Sequence, residues 1–200
     1  VHAPYLNQRF RGVFLTIKDK YTKKIEKAIK ALGETLDLAD KVKKIVRLRR
    51  GLEIKKIKKD QTKELLENAI NENKDQANSK NVEIIKEIET AEVTADTFLE
   101  DVIHNLIQNS LIHANCDTIQ IKSKKLDDEF KITVEDDGKG IPDADKERIF
   151  DIEYSAKPSS GGFGLYLIKK VIENYNGRIE VKNSDLGGAR FDIFLKTIKE

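Results

Sequence analysis

The sequence predicts an α+β protein of two modules, a helical hairpin followed by an α/β sandwich, and three observations carry that reading. Apolar residues in the first quarter of the chain step by three and four, the spacing of a helix stripe. Beyond Gly51 the pattern breaks into short alternating runs separated by amphipathic stretches. Those strands and helices do not alternate strictly, so helices on one face of a mixed sheet fit better than a doubly wound fold.

The stripe runs through Leu6, Phe10, Val13 and Ile17, then Ile25, Ile29, Leu32, Leu36, Ala39, Val42 and Val46. Residues 4–56 therefore read as helix, interrupted once so that the stripe can fold back on itself. Gly33 followed by Thr35 as N-cap, with Glu34 and Asp37 nearby, is the stronger stop-and-start signal; a turn near Lys18–Lys20 is the second choice. Two helices bury little apolar surface alone, so a four-helix bundle from two chains, a homodimer, is expected.

After Gly51 the expected order is a helix at 61–72, a polar Asn/Lys/Asp-rich stretch to Asn81, and a strand from Val82 to Ile88. A helix at 95–114 follows, with strands at 117–124 and 129–136 and a glycine-bearing loop to 161. The last elements are a helix to 175 and strands at 177–183 and 189–196. The domains are expected at 1–57 and 58–200.

Charged residues make up 36% of the 200, hydrophobic ones 38% and aromatics 6%, a balance for a folded, helix-rich chain rather than a disordered one. Cys116 is the only cysteine, so no internal disulfide forms, and three scattered histidines offer no zinc spacing. No run approaches 18 apolar residues and Val1–Arg11 has no signal-peptide core, so a cytoplasmic location is expected, with any membrane segment outside this chain. The net charge of +2 hides an asymmetry: residues 1–60 hold 18 Lys/Arg against 7 Asp/Glu, and the remainder 19 against 28. A basic front end suits nucleic acid, an acidic membrane or an acidic protein, or is simply a solvated helix face. It lacks the interleaved aromatics that stack on bases, so no nucleic-acid partner is expected.

Four segments carry chemistry. Asn105 and Asn109 are four apart on one helix face, near His104, Gln108 and His113; an Asn carboxamide is a neutral oxygen ligand for a hard cation. In Val134-Glu-Asp-Asp-Gly-Lys-Gly-Ile-Pro142, a strand runs into acids and two glycines. A carboxylate there can take an exocyclic amine, while Gly138 and Gly140 let backbone approach a flat ring. Arg148 to Lys157, with Pro158-Ser159-Ser160, is a polar loop able to cover a ligand and bring cations. Gly161-Gly-Phe-Gly164-Leu165 opens a helix, whose free N–H groups and positive dipole end suit phosphate.

In this order the segments resemble the N, G1, F and G2 boxes of the ATP-binding superfamily of gyrase-type topoisomerases, Hsp90 chaperones, histidine kinases and mismatch-repair ATPases. The resemblance covers roughly residues 58–198. Asn105, where ATP-hydrolysing members carry Glu, and the helical front module look most like a two-component sensor histidine kinase core, archaeal kinases especially. It implies that Asn109 ligands magnesium, Asn105 lies beside the phosphates, and Asp136 binds the adenine amino group with Gly138, Gly140 and Ile141 beside it. It further implies His113 near the base, Gly162, Phe163, Gly164 and Leu165 at the phosphates, and Arg148 and Lys157 as lid cations. Ile112 stands where the family often has a phosphate-contacting Lys.

The resemblance also implies a phosphoacceptor histidine on the first bundle helix, a neutral imidazole attacking the γ-phosphate. Aligning Phe10, Arg11, Phe14 and Ile17 with the family pattern puts Gln8 at that position, and an amide cannot replace imidazole. His2, the only histidine of the front module, is the alternative acceptor. The expected function is Mg-ATP-dependent autophosphorylation and transfer to an aspartate of a response regulator receiver domain. A kinase scaffold without phosphotransfer and an ATP-dependent conformational switch are the alternatives.

Overall fold

The structure, a computed structural model, describes residues 21–29, 31–33, 35, 54–151, 154 and 164–198. The chain divides into two compact units, residues 1–46 and 47–200.

In the first unit the described residues are all helical (α1, residues 21–29, 31–33 and 35). This corrects the turn expected at Gly33: residues 31–33 and 35 are helical, and Thr35 Oγ1 donates to the Ala31 carbonyl at 2.8 Å instead of capping a new helix. One Gly costs a helix only about 1 kcal/mol relative to Ala, which neighbours of good propensity absorb. The second-choice turn at Lys18–Lys20 lies outside the described residues. Tyr21, Ile25, Ile29 and Leu32 are all more than half exposed along α1.

The first described element of the second unit is strand β1 (Lys55–Ile57), where the sequence suggested helix as far as 56, and β1 pairs antiparallel with β3 (Val93–Ala95). Lys55–Ile57 therefore belongs to this unit, eleven residues of which precede the expected boundary at 57/58. Helix α2 (Lys59–Ser79) is longer than the sequence suggested; its last two turns occupy the Asn-rich stretch read as loop. Asn73 explains the difference, since it is fully buried and its amide is used on both sides, as described below.

Then come β2 (Glu83–Ile88), α3 (Phe98–Asn109), β4 (Thr118–Lys125), β5 (Glu129–Asp136), the short α4 (Asp143–Lys146), α5 (Gly164–Asn174), β6 (Arg178–Asn183) and β7 (Ala189–Lys196). Apart from β1 and β3, the strands form one five-stranded sheet in the order β2-β4-β5-β7-β6, with only β2–β4 parallel. The expected α+β class with a mixed sheet is what the structure shows.

Register explains which face is buried. Ile84 faces Ile119, Ile121 faces Val134, Val134 faces Phe191, and Ile132 faces Ile193, so one side of the sheet is a largely apolar layer, with Ser123 opposite Ile132 and Asp136 opposite Ile119 on the same face. Against it lie Leu66 and Ile70 of α2, Leu99, Ile103 and Leu106 of α3, and Ile168 and Ile172 of α5, each at most 2% exposed. The opposite side carries Lys122, Thr133, Glu135, Arg190 and Asp192. There Asp192 is fully buried yet accepts from Thr133 Oγ1 at 2.8 Å and Arg190 Nε at 3.0 Å, with Lys131 Nζ at 3.1 Å. Burial opposes its ionisation, but these donors prevail and hold its pKa below the usual value.

This arrangement brings the C-terminal ends of α3 and β5, the start of α5 and the loop before β7 to one end of the sheet.

Candidate functional site

Strand β5 ends at Asp136, whose carboxylate is gripped from three directions. Oδ1 accepts the backbone N–H groups of Gly138 and Ala189, each at 3.1 Å, and Oδ2 accepts Ser110 Oγ at 2.7 Å. The residue is only 2% exposed. An ionised carboxylate has about four acceptor positions, so one remains, on Oδ2.

Close backbone approach makes this grip possible. A Cβ on Gly188 would fall 2.1 Å from Asp136 Oδ1, and one on Gly138 2.4 Å from the Ala114 carbonyl oxygen. Gly140 adopts φ +67°, a left-handed conformation that glycine accepts without strain.

The facing wall is the end of α3. Its last turn widens into a π-helical turn, Ser110–Ala114, stopped by Asn115 at φ 53°; such turns recur at functional sites. Asn109, the last residue of α3, has a buried Nδ2 with no hydrogen-bond partner among the described residues. An unpaired buried donor costs about 1–3 kcal/mol, and a bound acceptor would relieve it.

Ile141, Pro142, Ile149, Tyr154, Leu165 and Phe191 complete a cavity of about 270 Å³ whose polar groups include Asp136, Ser110, Asn109 and Lys139. Partial burial lowers the pKa of the His113 imidazole, and Lys139 and Lys80 push it the same way, so the ring at the rim is neutral near pH 7. Lys80 Nζ donates to the Leu111 carbonyl at 2.6 Å, tying the end of α2 to the π turn.

Behind the wall a polar network fixes α3 against α2. Asn73 Nδ2 donates to the Ala69 carbonyl at 2.6 Å and lies 3.1 Å from His104 Nδ1. Gln108 Nε2 reaches Asn73 Oδ1 at 2.6 Å and Gln76 Oε1 at 2.7 Å.

Among the residues singled out from sequence, Asn109, His113, Asp136, Gly140, Ile141 and Leu165 line one cavity. Gly138 stands just behind it, against Ala114. Asn105 does not line the cavity; its amide donates to the Asp101 carbonyl at 2.6 Å. Arg148 begins a single 3-10 turn, Arg148–Phe150, and stacks over the Tyr154 ring at 5.9 Å. Gly164 is the first described residue of α5, and a Cβ there would meet nothing within 4 Å among the described residues. His2, Lys157, Gly162 and Phe163 lie outside the described residues. Sequence reading missed Ser110, Ile149, Gly188, Ala189 and Phe191. The Gly187-Gly188 pair between two strands was the visible signal for a close approach; Ser110 had none beyond its adjacency to Asn109.

Among the described residues the cavity therefore offers apolar walls ending in one free carboxylate acceptor, beside an amide that lacks a partner. Residues 94–199, which contain all of these groups, match the family described as histidine kinase-, DNA gyrase B-, and HSP90-like ATPase. The chain belongs to this family.

Its relatives within the histidine kinase-, gyrase B- and HSP90-like ATPases are sensor kinases. The chain is 37% identical over 100 residues to the alginate biosynthesis sensor protein KinB of Pseudomonas aeruginosa, covering 48% of this chain and 17% of that protein. It is 33% identical over 96 residues to the virulence sensor histidine kinase PhoQ of Salmonella typhimurium, covering 46% and 19%. The chain thus spans under one fifth of the length of these relatives. Among solved structures, the catalytic domain of the histidine kinase ThkA superposes with a TM-score of 0.63 at 25% identity, covering 73% of this chain and 97% of that one. The Acinetobacter baumannii histidine kinase AdeS shares the fold, with a TM-score of 0.65 at 19% identity over 82% of this chain and 78% of that one. The second unit is therefore an ATP-binding core of the sensor histidine kinase type. Among the described residues no helix is long and apolar enough to cross a membrane.

Proposed function

We propose that this chain is the catalytic core of a sensor histidine kinase, which binds Mg-ATP, passes the γ-phosphoryl to a histidine and then to an aspartate of a response regulator receiver domain. The observation that carries the nucleotide part is the Asp136 carboxylate, which keeps one acceptor free at the end of an apolar slot. In this reading the adenine amine takes that acceptor, Ile141 and Leu165 border the base, and the neutral His113 ring stacks at the rim.

The donor set fits a magnesium ion brought in by phosphates: the Asn109 amide supplies a neutral oxygen, and its buried Nδ2 has an acceptor to gain. Bound there, such an ion would neutralise charge on the transferred group. Asn109 orients it, and Gly162, Phe163 and Gly164 meet the phosphates with the α5 N-terminus behind them. Asn105 lies on the same helix, with Arg148 and Lys157 as lid cations.

The acceptor role of His2, the homodimer and the receiver partner rest on the sequence. The exposed stripe Tyr21, Ile25, Ile29 and Leu32 supports the homodimer, because a second copy would bury it in a four-helix bundle. Lys/Arg excess in residues 1–60 supports an acidic receiver as partner. The second reading, a scaffold that binds ATP without phosphotransfer, draws on Gln8 at the aligned acceptor position.

Incubation with radiolabelled ATP and magnesium tests the two readings on the native protein and on His2→Ala and Asn109→Asp. Acid-labile, base-stable label on the native protein, lost in both variants, is the expected result. Nucleotide binding without label would establish the scaffold instead.

A further inference from the structure

The Ser110 hydroxyl has one proton, and the structure commits it. Ser110 Oγ lies 2.7 Å from Asp136 Oδ2, the oxygen that keeps the free acceptor position; both side chains are nearly inaccessible, at 3% and 2% exposure, and both border the cavity. Because the proton goes to the carboxylate, the serine oxygen presents only lone pairs to the slot. The end wall is thus two adjacent acceptors with no donor between them.

We infer that Ser110 is a specificity-determining residue of the nucleotide site, holding Asp136 so that the wall accepts a 6-amino purine and rejects a 6-oxo purine. The inference rests on the nucleotide reading above and deepens it. Gly138 and Ala189 hold Oδ1 by backbone groups that a substitution at Ser110 leaves in place, so Oδ1 is fixed. Among the described residues Oδ2 has a single fixed partner, and without it the carboxylate can tilt to suit another ligand. A purine bearing a carbonyl at this position would set its oxygen against two acceptors with no proton between them. A site built on such pairing discriminates far more strongly than an apolar pocket does.

Ser110 also lies at the start of the π turn, so its backbone is placed by that turn and not by the hydroxyl. Removing the hydroxyl should therefore change selectivity without dismantling the wall.

The test compares Ser110→Thr with Ser110→Val, which match in size and differ in the hydroxyl alone, by displacement of a fluorescent nucleotide with ATP and with ITP. Wild type and Ser110→Thr should prefer ATP by a similar factor. In Ser110→Val the preference should fall about tenfold, chiefly through weaker ATP binding, the loss expected for about one hydrogen bond to a charged group. Equal ATP-to-ITP ratios in the two variants would overturn the role of Ser110 while leaving the nucleotide site in place. Failure of the wild-type protein to bind either nucleotide would overturn the nucleotide reading, and this inference with it.

Discussion

The Tyr175 hydroxyl donates to the Asp96 carboxylate across 79 residues of sequence, with both groups buried, and so joins the end of α5 to the start of α3. The same Asp96 Oδ1 accepts the backbone N–H of Phe98 at 2.9 Å. One carboxylate therefore caps the helix that carries Asn109 and anchors the helix that begins at Gly164. Burial, and then the bond to Asp96, raise the Tyr175 pKa well above its ordinary value. Tyr175→Phe should cost about 1–2 kcal/mol, and Asp96→Ala more, since it removes the cap and strands the phenol. Urea denaturation followed by circular dichroism would read both; equal costs would show that the cap contributes nothing.

Two glycines should respond oppositely to the same substitution. Gly188→Ala puts a Cβ on Asp136 Oδ1, Asp136 O and Gly138 N at once, all within 2.5 Å, so the loop must shift. A loss of about 1–3 kcal/mol is expected, together with loss of nucleotide binding. Gly164→Ala meets nothing within 4 Å among the described residues and, being helical, should leave stability unchanged or raise it by up to about 1 kcal/mol. Thermal melting of the two variants side by side decides this.

Asn109→Ala should separate stability from binding. It removes a buried donor that has no partner among the described residues, so the ligand-free protein should stay within about 1 kcal/mol of wild type. The rise in melting temperature given by Mg-ATP should disappear. A large destabilisation of the ligand-free variant would mean that Asn109 serves the fold.

His113 supplies a pH dependence whose sign is fixed. Its folded pKa lies below the ordinary value of 6.5, owing to burial and then Lys139 and Lys80. The unfolded chain therefore binds its proton first as pH falls. Stability is unaffected above the unfolded value, declines as pH drops through it, and levels off below the folded pKa. Proton NMR titration of the imidazole should give a midpoint under 6.5, and His113→Gln should remove this part of the decline.

Reversing Arg47, Arg49 and Arg50 to Glu should slow phosphorylation of an acidic receiver domain while leaving ATP affinity nearly unchanged, because steering charge acts on encounter. Equal loss of both would sink the docking idea.

Period made β4 legible, since its residues alternate between buried and partly exposed positions, whereas β5 and β7 are buried along most of both faces and, like β6, were marked by apolar and β-branched runs between turns. Helix α2 was cut short because Asn, Lys and Asp read as loop. What holds its last turns is Gln108 and His104 reaching Asn73 from more than thirty residues away, a partnership no local window contains. Strand β3 was missed for a similar reason: three residues carry no period, and they are extended because β1 pairs with them. In the site, residues with unusual composition around them, Asn109, Asp136 and Gly140, stood out. Ser110 and Gly188 did not, because a lone serine or glycine acquires meaning only when the fold brings Asp136 alongside.

The register of β5 against β7 also bears on how the protein folds. The β4–β5 and β6–β7 pairs close short loops and can form early, whereas joining β5 to β7 brings Glu135 opposite Arg190 across 55 residues. Until that seam closes, Asp136 belongs to one hairpin while Gly188 and Ala189 belong to the other, and the cradle around the carboxylate does not exist. A nascent or partly unfolded chain could therefore hold most of its strands and still be blind to nucleotide, so that ligand binding would report completion of the slowest pairing step.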